Sequence, residues 1–154
     1  MAKTSSCKLT QRLDECTTAK DNPAFALNDA GTNNRVTVEA SGKKCQAIKV
    51  DGELIEIQPH KCDWCVREYD TGICLFIELK SGRKELSHAM EQIANTIKWF
   101  KQYTEPFKIH PHCYTIMKKG CPSFSTKLQK LKRKFKVEYG CDFTIRESGI
   151  KIQF

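Results

Sequence analysis

The sequence predicts an α+β fold, because the spacing of its hydrophobic residues changes along the chain. From residue 35 to residue 80, short apolar segments rich in β-branched and aromatic residues alternate with turn-forming sequences, which is typical of an antiparallel β-meander. A long amphipathic helical pattern and a further strand pattern follow. At 154 residues the chain is predicted to form one domain with its own core.

Residues 1–34 are predicted to be a weakly structured extension with one short helix, marked by Leu9, Leu13 and Cys16. The core is predicted over residues 35–117, and it begins with five short strands. These strands are RVTVEA (35–40), CQAIKVD (45–51), ELIEIQ (53–58), CDWCVRE (62–68) and ICLFIELK (73–80).

The second half of the predicted core is a helix followed by one strand. Past the turn at Ser81 and Gly82, apolar residues recur at helical spacing over about four turns, so the helix is expected to cover one face of the sheet. Pro106 is expected to end this pattern, and HCYTIM (112–117) then predicts a strand. The apolar stripe consists of Leu86, Ala89, Met90, Ile93, Ile97 and Phe100.

Residues 118–154 are predicted to add a basic helix and a β-hairpin. The lysine-rich helix is expected over residues 124–136, with an apolar face turned inward. The hairpin is expected in DFTIRESGIKIQF, with its turn around Ser148. The inward-facing residues of the basic helix are Leu128, Leu131 and Phe135.

The sequence predicts a cytoplasmic protein without membrane contact. No window approaches the ~18 apolar residues of a membrane span, and the first residues lack the apolar core of a signal peptide. In a reducing compartment, the nine cysteines are expected to be small buried residues rather than disulfides. Cys62 and Cys65 resemble half of a zinc site, but residues three apart on a regular strand point to opposite faces, so zinc is not favoured.

The strand ICLFIELK ends in an acid and a base on the same side. A period of two residues puts Glu78 and Lys80 on one face of the sheet and the intervening apolar residues on the other. A hairpin turn of two or four residues places Asp63 opposite Glu78, whereas a three-residue turn places Asp63 opposite Leu79. With an even-numbered turn, two carboxylates lie side by side.

Two facing carboxylates suggest a metal site. Their β-carbons would be roughly 5 Å apart, and like charges at that distance require a shared proton or a cation. Asp63 and Glu78, together with the backbone carbonyl of Leu79, would suit a hard ion such as Mg²⁺. Lys80 is placed to orient a metal-bound water or to offset developing negative charge.

Asp63, fourteen further residues and then Glu78-Leu79-Lys80 resemble the PD-(D/E)xK signature of the restriction-endonuclease-like phosphodiesterases. The core of that superfamily runs helix, three-strand meander, helix, strand (αβββαβ), and residues 35–117 have a similar order. The resemblance implies that Asp63 and Glu78 bind Mg²⁺ or Mn²⁺ and that Lys80 assists the attacking water.

The comparison with the family pattern extends to four further positions, two of which depart from it. Several members carry a glutamine on the following helix, a role that falls on Gln92. Cys62 stands where a proline often precedes the aspartate, and Thr96 stands where RecB-like members have tyrosine. Many members also use an earlier acid, for which Glu39 is the candidate and Glu15 the second choice.

The net charge of +8 lies entirely in residues 101–154, where 12 basic residues outnumber 4 acidic ones. A one-signed surface on an otherwise balanced chain favours a polyanionic partner such as nucleic acid, although a solvated lysine face has the same composition. Cations on one short helix would contact phosphates and release counterions. The candidates are Lys127, Lys130, Lys132, Arg133, Lys134 and Lys136.

Together these patterns predict a Mg²⁺-dependent nuclease that acts on nucleic acid, with DNA favoured over RNA. The alternative is a catalytically inactive nuclease-fold protein that binds nucleic acid or a partner protein within a defence or repair assembly. A basic module that binds an acidic protein is a third interpretation. The resemblance also allows a homodimer or a larger complex, because small nucleases of this type often pair to cut both strands.

Overall fold

The computed structural model describes residues 13, 17–20, 24–28, 34–52, 54–55, 60–80, 86–102, 108–109, 112–117 and 126–153. Over these residues the chain forms ten strands and two helices, which confirms the predicted α+β class. The helices are α1 (Leu86–Phe100) and α2 (Thr126–Tyr139). The strands are β1 (Thr17–Lys20), β2 (Ala24–Asn28), β3 (Arg35–Glu39), β4 (Cys45–Lys49), β5 (Trp64–Glu68), β6 (Ile73–Lys80), β7 (Lys108–Ile109), β8 (His112–Met117), β9 (Asp142–Glu147) and β10 (Lys151–Gln153).

The strands form a large sheet and a small sheet. The large sheet has the order β1-β4-β5-β6-β8-β9, with the short strand β7 also paired to β6. Its pairs from β1 to β6 are antiparallel, and its pairs from β6 to β9 are parallel. The small sheet has the order β10-β3-β2, in which β3 is antiparallel to β2 and parallel to β10.

The predicted five-strand meander is correct only in part. Within the large sheet, the meander comprises β4, β5 and β6, whereas β3 belongs to the small sheet. The turn after β3 redirects the chain between the sheets, with positive φ angles of 53° at Ser41 and 78° at Gly42. In the predicted strand ELIEIQ, Leu54 lies in a turn and Ile55 forms an isolated bridge with Asp51, while its other residues lie outside the described ones.

The predicted C-terminal hairpin is wrong. The strand β9 pairs with β8 in the large sheet, and β10 pairs with β3 in the small sheet. The chain leaves β9 through Ser148 and Gly149, whose φ angle is 89°, and binds to Arg35 instead of folding back. The N–H of Gly149 donates to the carbonyl of Arg35 over 2.7 Å, and the N–H of Thr37 donates to the carbonyl of Ile150 over 3.0 Å.

The segment predicted as a weakly structured extension contains two of the strands. The strand β1 pairs with β4 in the large sheet, and β2 pairs with β3 in the small sheet. Leu13 is helical and buried, whereas Leu9 and Cys16 lie outside the described residues. The first third of the chain therefore contributes to both sheets.

The molecule has three layers, with the large sheet in the middle. The helices pack on one face of the large sheet, and the small sheet packs on the other. Alternate side chains of β6 point to opposite faces of the large sheet. Phe76 packs in the helix-side core, and Leu75 and Ile77 pack in the core under the small sheet. The strand β6 is therefore covered on both faces, which explains its continuous apolar run.

The two predicted helices are confirmed. The ring of Phe100 in α1 meets the ring of Phe76 edge to face at a centroid distance of 5.0 Å. Helix α2 adds Leu128 and Phe135 to the same core, with Leu131 partly buried beside them. It ends at residue 139 rather than 136, and Gly140, with a φ angle of 71°, follows it. Pro106 lies outside the described residues.

Five cysteines with described side chains carry buried thiols, as predicted: Cys45, Cys62, Cys65, Cys74 and Cys141. However, Cys62 and Cys65 do not point to opposite faces, because β5 begins at Trp64 and Cys62 precedes the strand. Both belong to the helix-side core. In the part of the chain that the structure describes, neither helix has the length and apolar character needed to cross a membrane.

Candidate active site

Asp63 and Glu78 face each other where β5 begins and β6 approaches its end. The two strands pair Trp64 with Ile77, and the same register places Asp63 opposite Glu78. Four residues connect the strands, so the predicted even-numbered turn is confirmed. The N–H of Asp63 donates to Oε2 of Glu78 over 3.1 Å, and the N–H of Leu79 donates to Oδ2 of Asp63 over 2.8 Å. Each carboxylate is therefore held by the backbone of the opposite strand.

Glu78 is almost fully enclosed, and Lys80 is the basic residue beside it. Their side chains are 3% and 12% exposed, and Lys80 Nζ lies 3.2 Å from Glu78 Oε1. Following Phe76 at a period of two, both side chains lie on one face of the sheet, as predicted, and this is the face that the helices cover. A second contact fixes Lys80, whose backbone carbonyl accepts a hydrogen bond from Nδ2 of Asn34.

The environment of Glu78 disfavours its charged form. Burial, and then the negative charge of Asp63, raise the pKa of Glu78 from its usual 4.5 to about 9, although Lys80 opposes the rise. At neutral pH the Glu78 carboxyl is therefore mostly protonated in the absence of a further cation. A cation placed between the two carboxylates would reverse this effect.

The segment that precedes Asp63 is docked on α1 at three consecutive residues. The ring of His60 meets the ring of His88 edge to face at 5.0 Å. The carbonyl of Lys61 accepts a hydrogen bond from Nε2 of Gln92 over 3.2 Å. One turn further along α1, Thr96 Oγ1 accepts a hydrogen bond from the N–H of Cys62 over 2.9 Å and donates one to the carbonyl of Gln92 over 2.8 Å.

Gln92 therefore lies beside the segment that carries Asp63. Its amide nitrogen is used by Lys61, while Oε1 is buried and has no hydrogen-bond partner among the described residues. A buried amide oxygen without a donor is unusual, and it suits a bound water or a cation. The role predicted for Gln92, positioning a phosphate or a water, stays a prediction.

The available donors fit a hard divalent ion. Asp63 and Glu78 supply carboxylate oxygens. Gln92 adds a buried acceptor, Oε1, and its amide nitrogen binds Lys61 in the segment that leads to Asp63. Mg²⁺ typically takes one or two carboxylates and keeps several waters, so this small donor set is sufficient for it. Across the described residues, no group of three or more His, Cys, Asp or Glu side chains is arranged to hold a metal ion. Any ion here would therefore depend strongly on water ligands.

The structure separates Glu39 from the carboxylate pair, contrary to the prediction. Glu39 lies at the end of β3 in the small sheet, where its Oε1 is 3.5 Å from Lys151 Nζ. Val36 and Val38 turn toward the large sheet, so Glu39 alternates to the outer face of the small sheet. The large sheet stands between this face and α1. Glu15 lies outside the described residues.

The cations of α2 lie near the edge strand β9. Lys132, Arg133 and Lys136 border a surface cavity of about 410 Å³ together with Thr144. Lys136 also pairs with Asp142, with 3.0 Å between Nζ and Oδ1. Lys130 and Lys134 are exposed, whereas Lys127 has a described backbone position only. The strand β9 is two positions from β6 in the sheet, which corresponds to about 10 Å at the usual strand spacing.

Sequence reasoning missed the buried partners of the site. The sequence distinguishes Thr96 only as a departure from a family pattern. Its spacing of four from Gln92 nevertheless places both residues on one face of α1. Asn34 was assigned to a weakly structured extension, and no local pattern connects it with Lys80. These contacts join residues that are 34 to 46 positions apart in the chain.

Comparison of the chain with models of known protein families, with curated proteins and with solved structures finds no match. The class of site that the geometry defines is a pair of facing carboxylates with an adjacent lysine at the end of a central strand, in which Glu78 is buried and Asp63 is partly exposed.

Proposed function

We propose that the chain is a Mg²⁺- or Mn²⁺-dependent nuclease that hydrolyses phosphodiester bonds in nucleic acid, with DNA favoured over RNA. The observation that carries the proposal is the direct opposition of Asp63 and Glu78, with Lys80 Nζ 3.2 Å from Glu78. Two acids and a cation at one position are costly to bury, so their placement together supports a chemical role.

Asp63 and Glu78 would hold the divalent ion, with the Leu79 carbonyl as a further oxygen ligand. The ion would supply Lewis acidity and a water of lowered pKa. Lys80 would orient the attacking water and offset negative charge that develops on the phosphate. Gln92 Oε1 would accept a hydrogen bond from a water at the site, since it has no protein donor among the described residues.

The order of the elements also supports the proposal. The meander β4-β5-β6 leads into α1 and then into β8, which lies parallel to β6. Apart from the intervening short strand β7, this order is similar to the meander, helix and strand of the restriction-endonuclease-like core, and Asp63, Glu78 and Lys80 lie in or beside the second and third strands of the meander. The sheet would then supply a rigid base for the site, while α1 closes one side of it.

The cationic surface of α2 would bind the nucleic-acid backbone. Lys132 and Arg133 share one cavity, and the exposed Lys130 and Lys134 extend the positive charge along the helix. Such contacts position a substrate without reading its sequence. Lys127 and Lys136 are the other members of the proposed surface.

The alternative function, a nuclease-fold binding protein without catalysis, is favoured by one observation. Lys80 Nζ lies 3.2 Å from Glu78, whose pKa of about 9 leaves the carboxyl mostly protonated at neutral pH. If Glu78 keeps its proton in the presence of divalent ions, the site would be inactive and the basic surface would act alone.

A cleavage assay distinguishes the two functions. Wild type and the variants Asp63→Ala, Glu78→Ala and Lys80→Ala are incubated with end-labelled DNA in Mg²⁺ or Mn²⁺, with Glu39→Ala as the matched acidic control. The nuclease proposal expects cleavage by wild type and Glu39→Ala, with a loss of at least about 100-fold in the other three variants.

Equal activity in all five proteins would reject the assigned site. Salt-dependent DNA binding by wild type, with no cleavage in either metal, would instead support the inactive alternative. RNA of the same sequence in a parallel reaction tests the preference for DNA.

A further inference from the structure

Three residues of α1 hold three consecutive residues of the segment before Asp63. His88, Gln92 and Thr96 follow at intervals of four along the helix. They contact His60, Lys61 and Cys62 in the same order. This regular match extends over two turns of α1 and stops one residue before Asp63.

Thr96 is the innermost of the three contacts. It is 0% exposed, and its hydroxyl makes two hydrogen bonds. The bond to the carbonyl of Gln92 is a common one for threonine inside a helix. The bond from the N–H of Cys62 is not local, and it satisfies a buried backbone donor in a segment that precedes the strand β5.

The peptide held by Thr96 leads directly into the contacts of Asp63. The N–H of Asp63 donates to Glu78 Oε2 over 3.1 Å, and its carbonyl accepts from the N–H of Val50 over 2.9 Å. Gln92 binds the carbonyl and Thr96 binds the N–H of the single peptide that joins Lys61 and Cys62. Only the two backbone dihedral angles of Cys62 separate this rigid peptide from the next one, which carries the Asp63 N–H, so a shift of the first is expected to displace the second. The distance between the two carboxylates then changes as well.

We infer that Thr96 is a positioning residue, whose hydroxyl fixes Cys62 on α1 and thereby sets the placement of Asp63 against Glu78. The inference deepens the proposed function and rests on it for the consequence that Thr96 tunes metal affinity. Outer partners of metal ligands typically change affinity or activity by 10- to 100-fold when they are removed. Thr96 is expected to act at the lower end of this range, because it holds the ligand through one intervening peptide.

Amide hydrogen exchange tests the structural half of the inference without any metal. Thr96→Val keeps the shape of the side chain and removes the hydroxyl, Thr96→Ser restores the hydroxyl, and Thr37→Val makes the same change on β3. In Thr96→Val, the amides of Cys62 and Asp63 are expected to lose at least about tenfold in protection, with β9 unchanged. Thr96→Ser and Thr37→Val should resemble wild type at both amides.

Binding of Mn²⁺, measured by the electron paramagnetic resonance signal of the free ion, tests the functional half. The dissociation constant is expected to rise about tenfold in Thr96→Val and to return to within about twofold of wild type in Thr96→Ser. Unchanged exchange in Thr96→Val overturns the inference. Altered exchange with unchanged Mn²⁺ affinity also overturns it, since Thr96 would then be only a stabilising contact.

Absence of Mn²⁺ binding in the wild type would reject the proposed function, and the exchange data alone would then decide whether Thr96 fixes Cys62. Should Thr96→Val fail to fold, Gln92→Met is the second variant, because Gln92 is partly exposed and its removal breaks the neighbouring bond to Lys61. The same local loss of protection is expected there, and its absence counts against the docking of this segment on α1.

Discussion

Asp63 and Glu78 are connected by a hydrogen bond from the N–H of Asp63 to Oε2 of Glu78, over 3.1 Å. A carboxylate that accepts this bond is oriented toward its neighbour rather than away from it. Together with the bond from the N–H of Leu79 to Asp63 Oδ2, the arrangement keeps the partly exposed Asp63 close to the buried Glu78.

The pH dependence of stability should carry the signature of Glu78. Its pKa is raised from 4.5 to about 9 by folding, so the folded state binds the proton more tightly than the unfolded state between these values. The stabilisation of the folded state that comes from this tighter proton binding is thus fully present below about pH 4.5 and is lost as the pH rises toward 9. In wild type, this effect is expected to lower the free energy of unfolding by on the order of 1–3 kcal/mol between pH 6 and pH 9, and Glu78→Gln should remove it. Urea denaturation at pH 6 and pH 9 measures it, and an unchanged pH slope in Glu78→Gln would contradict the assignment.

A divalent ion should stabilise the fold through the same pair. At about 100 times its dissociation constant, an ion that binds only the folded state adds about 2.7 kcal/mol, which corresponds to a rise of roughly 5–10 °C in Tm. Mg²⁺ or Mn²⁺ is expected to raise the Tm of wild type and Glu39→Ala but not that of Asp63→Ala. Thermal unfolding with and without the ion measures this difference, and an equal rise in Asp63→Ala would place the ion elsewhere.

Charge reversal on α2 should weaken nucleic-acid binding in a salt-dependent way. Lys132→Glu combined with Arg133→Glu removes two cations from the same cavity. If each contacts one phosphate, the slope of log K against log salt should fall in magnitude by about 1.8 for duplex DNA. Fluorescence anisotropy at several salt concentrations gives this slope. The matched control is Lys44→Glu with Lys49→Glu, which changes two exposed lysines in or beside β4. An equal change of slope in this control would show that net charge alone, and not the surface of α2, causes the effect.

The core beneath the site should depend on Phe76. Its side chain is fully buried and packs against Phe100 at a ring distance of 5.0 Å. Phe76→Ala is expected to lower the free energy of unfolding by about 3–5 kcal/mol, because a large cavity forms between β6 and α1. Val137 is 84% exposed, so Val137→Ala should change stability by less than about 0.5 kcal/mol. Chemical denaturation of the two variants compares them, and similar losses would contradict the assigned packing.

The central part of the site could be predicted because its signals are local. The period of β6 fixed which face carries Glu78 and Lys80, and the short connection to β5 fixed the register that brings Asp63 opposite. Helices α1 and α2 could also be predicted from the sequence, since their apolar stripes repeat at helical spacing. In each case a few neighbouring residues were enough to determine the geometry.

The small sheet could not be predicted, because its pairings are remote in sequence. Thr37 pairs with Lys151 in parallel, and no turn connects the two strands directly. The sequence around Ser148 has the composition of a hairpin turn, but the chain there binds Arg35 instead. Glu39 was misplaced for the same reason, since its strand was expected beside β4 in one continuous sheet.

The two halves of the carboxylate pair differ in how they are anchored. Glu78 belongs to β6, which has strands on both sides and packed layers above and below, so its backbone can shift only if much of the domain opens. Asp63 precedes β5 and has one backbone bond to Val50, and the residues before it are held by side-chain bonds to α1. Any induced fit at this site should therefore be one-sided, with Glu78 acting as the fixed reference and Asp63 moving toward whatever binds.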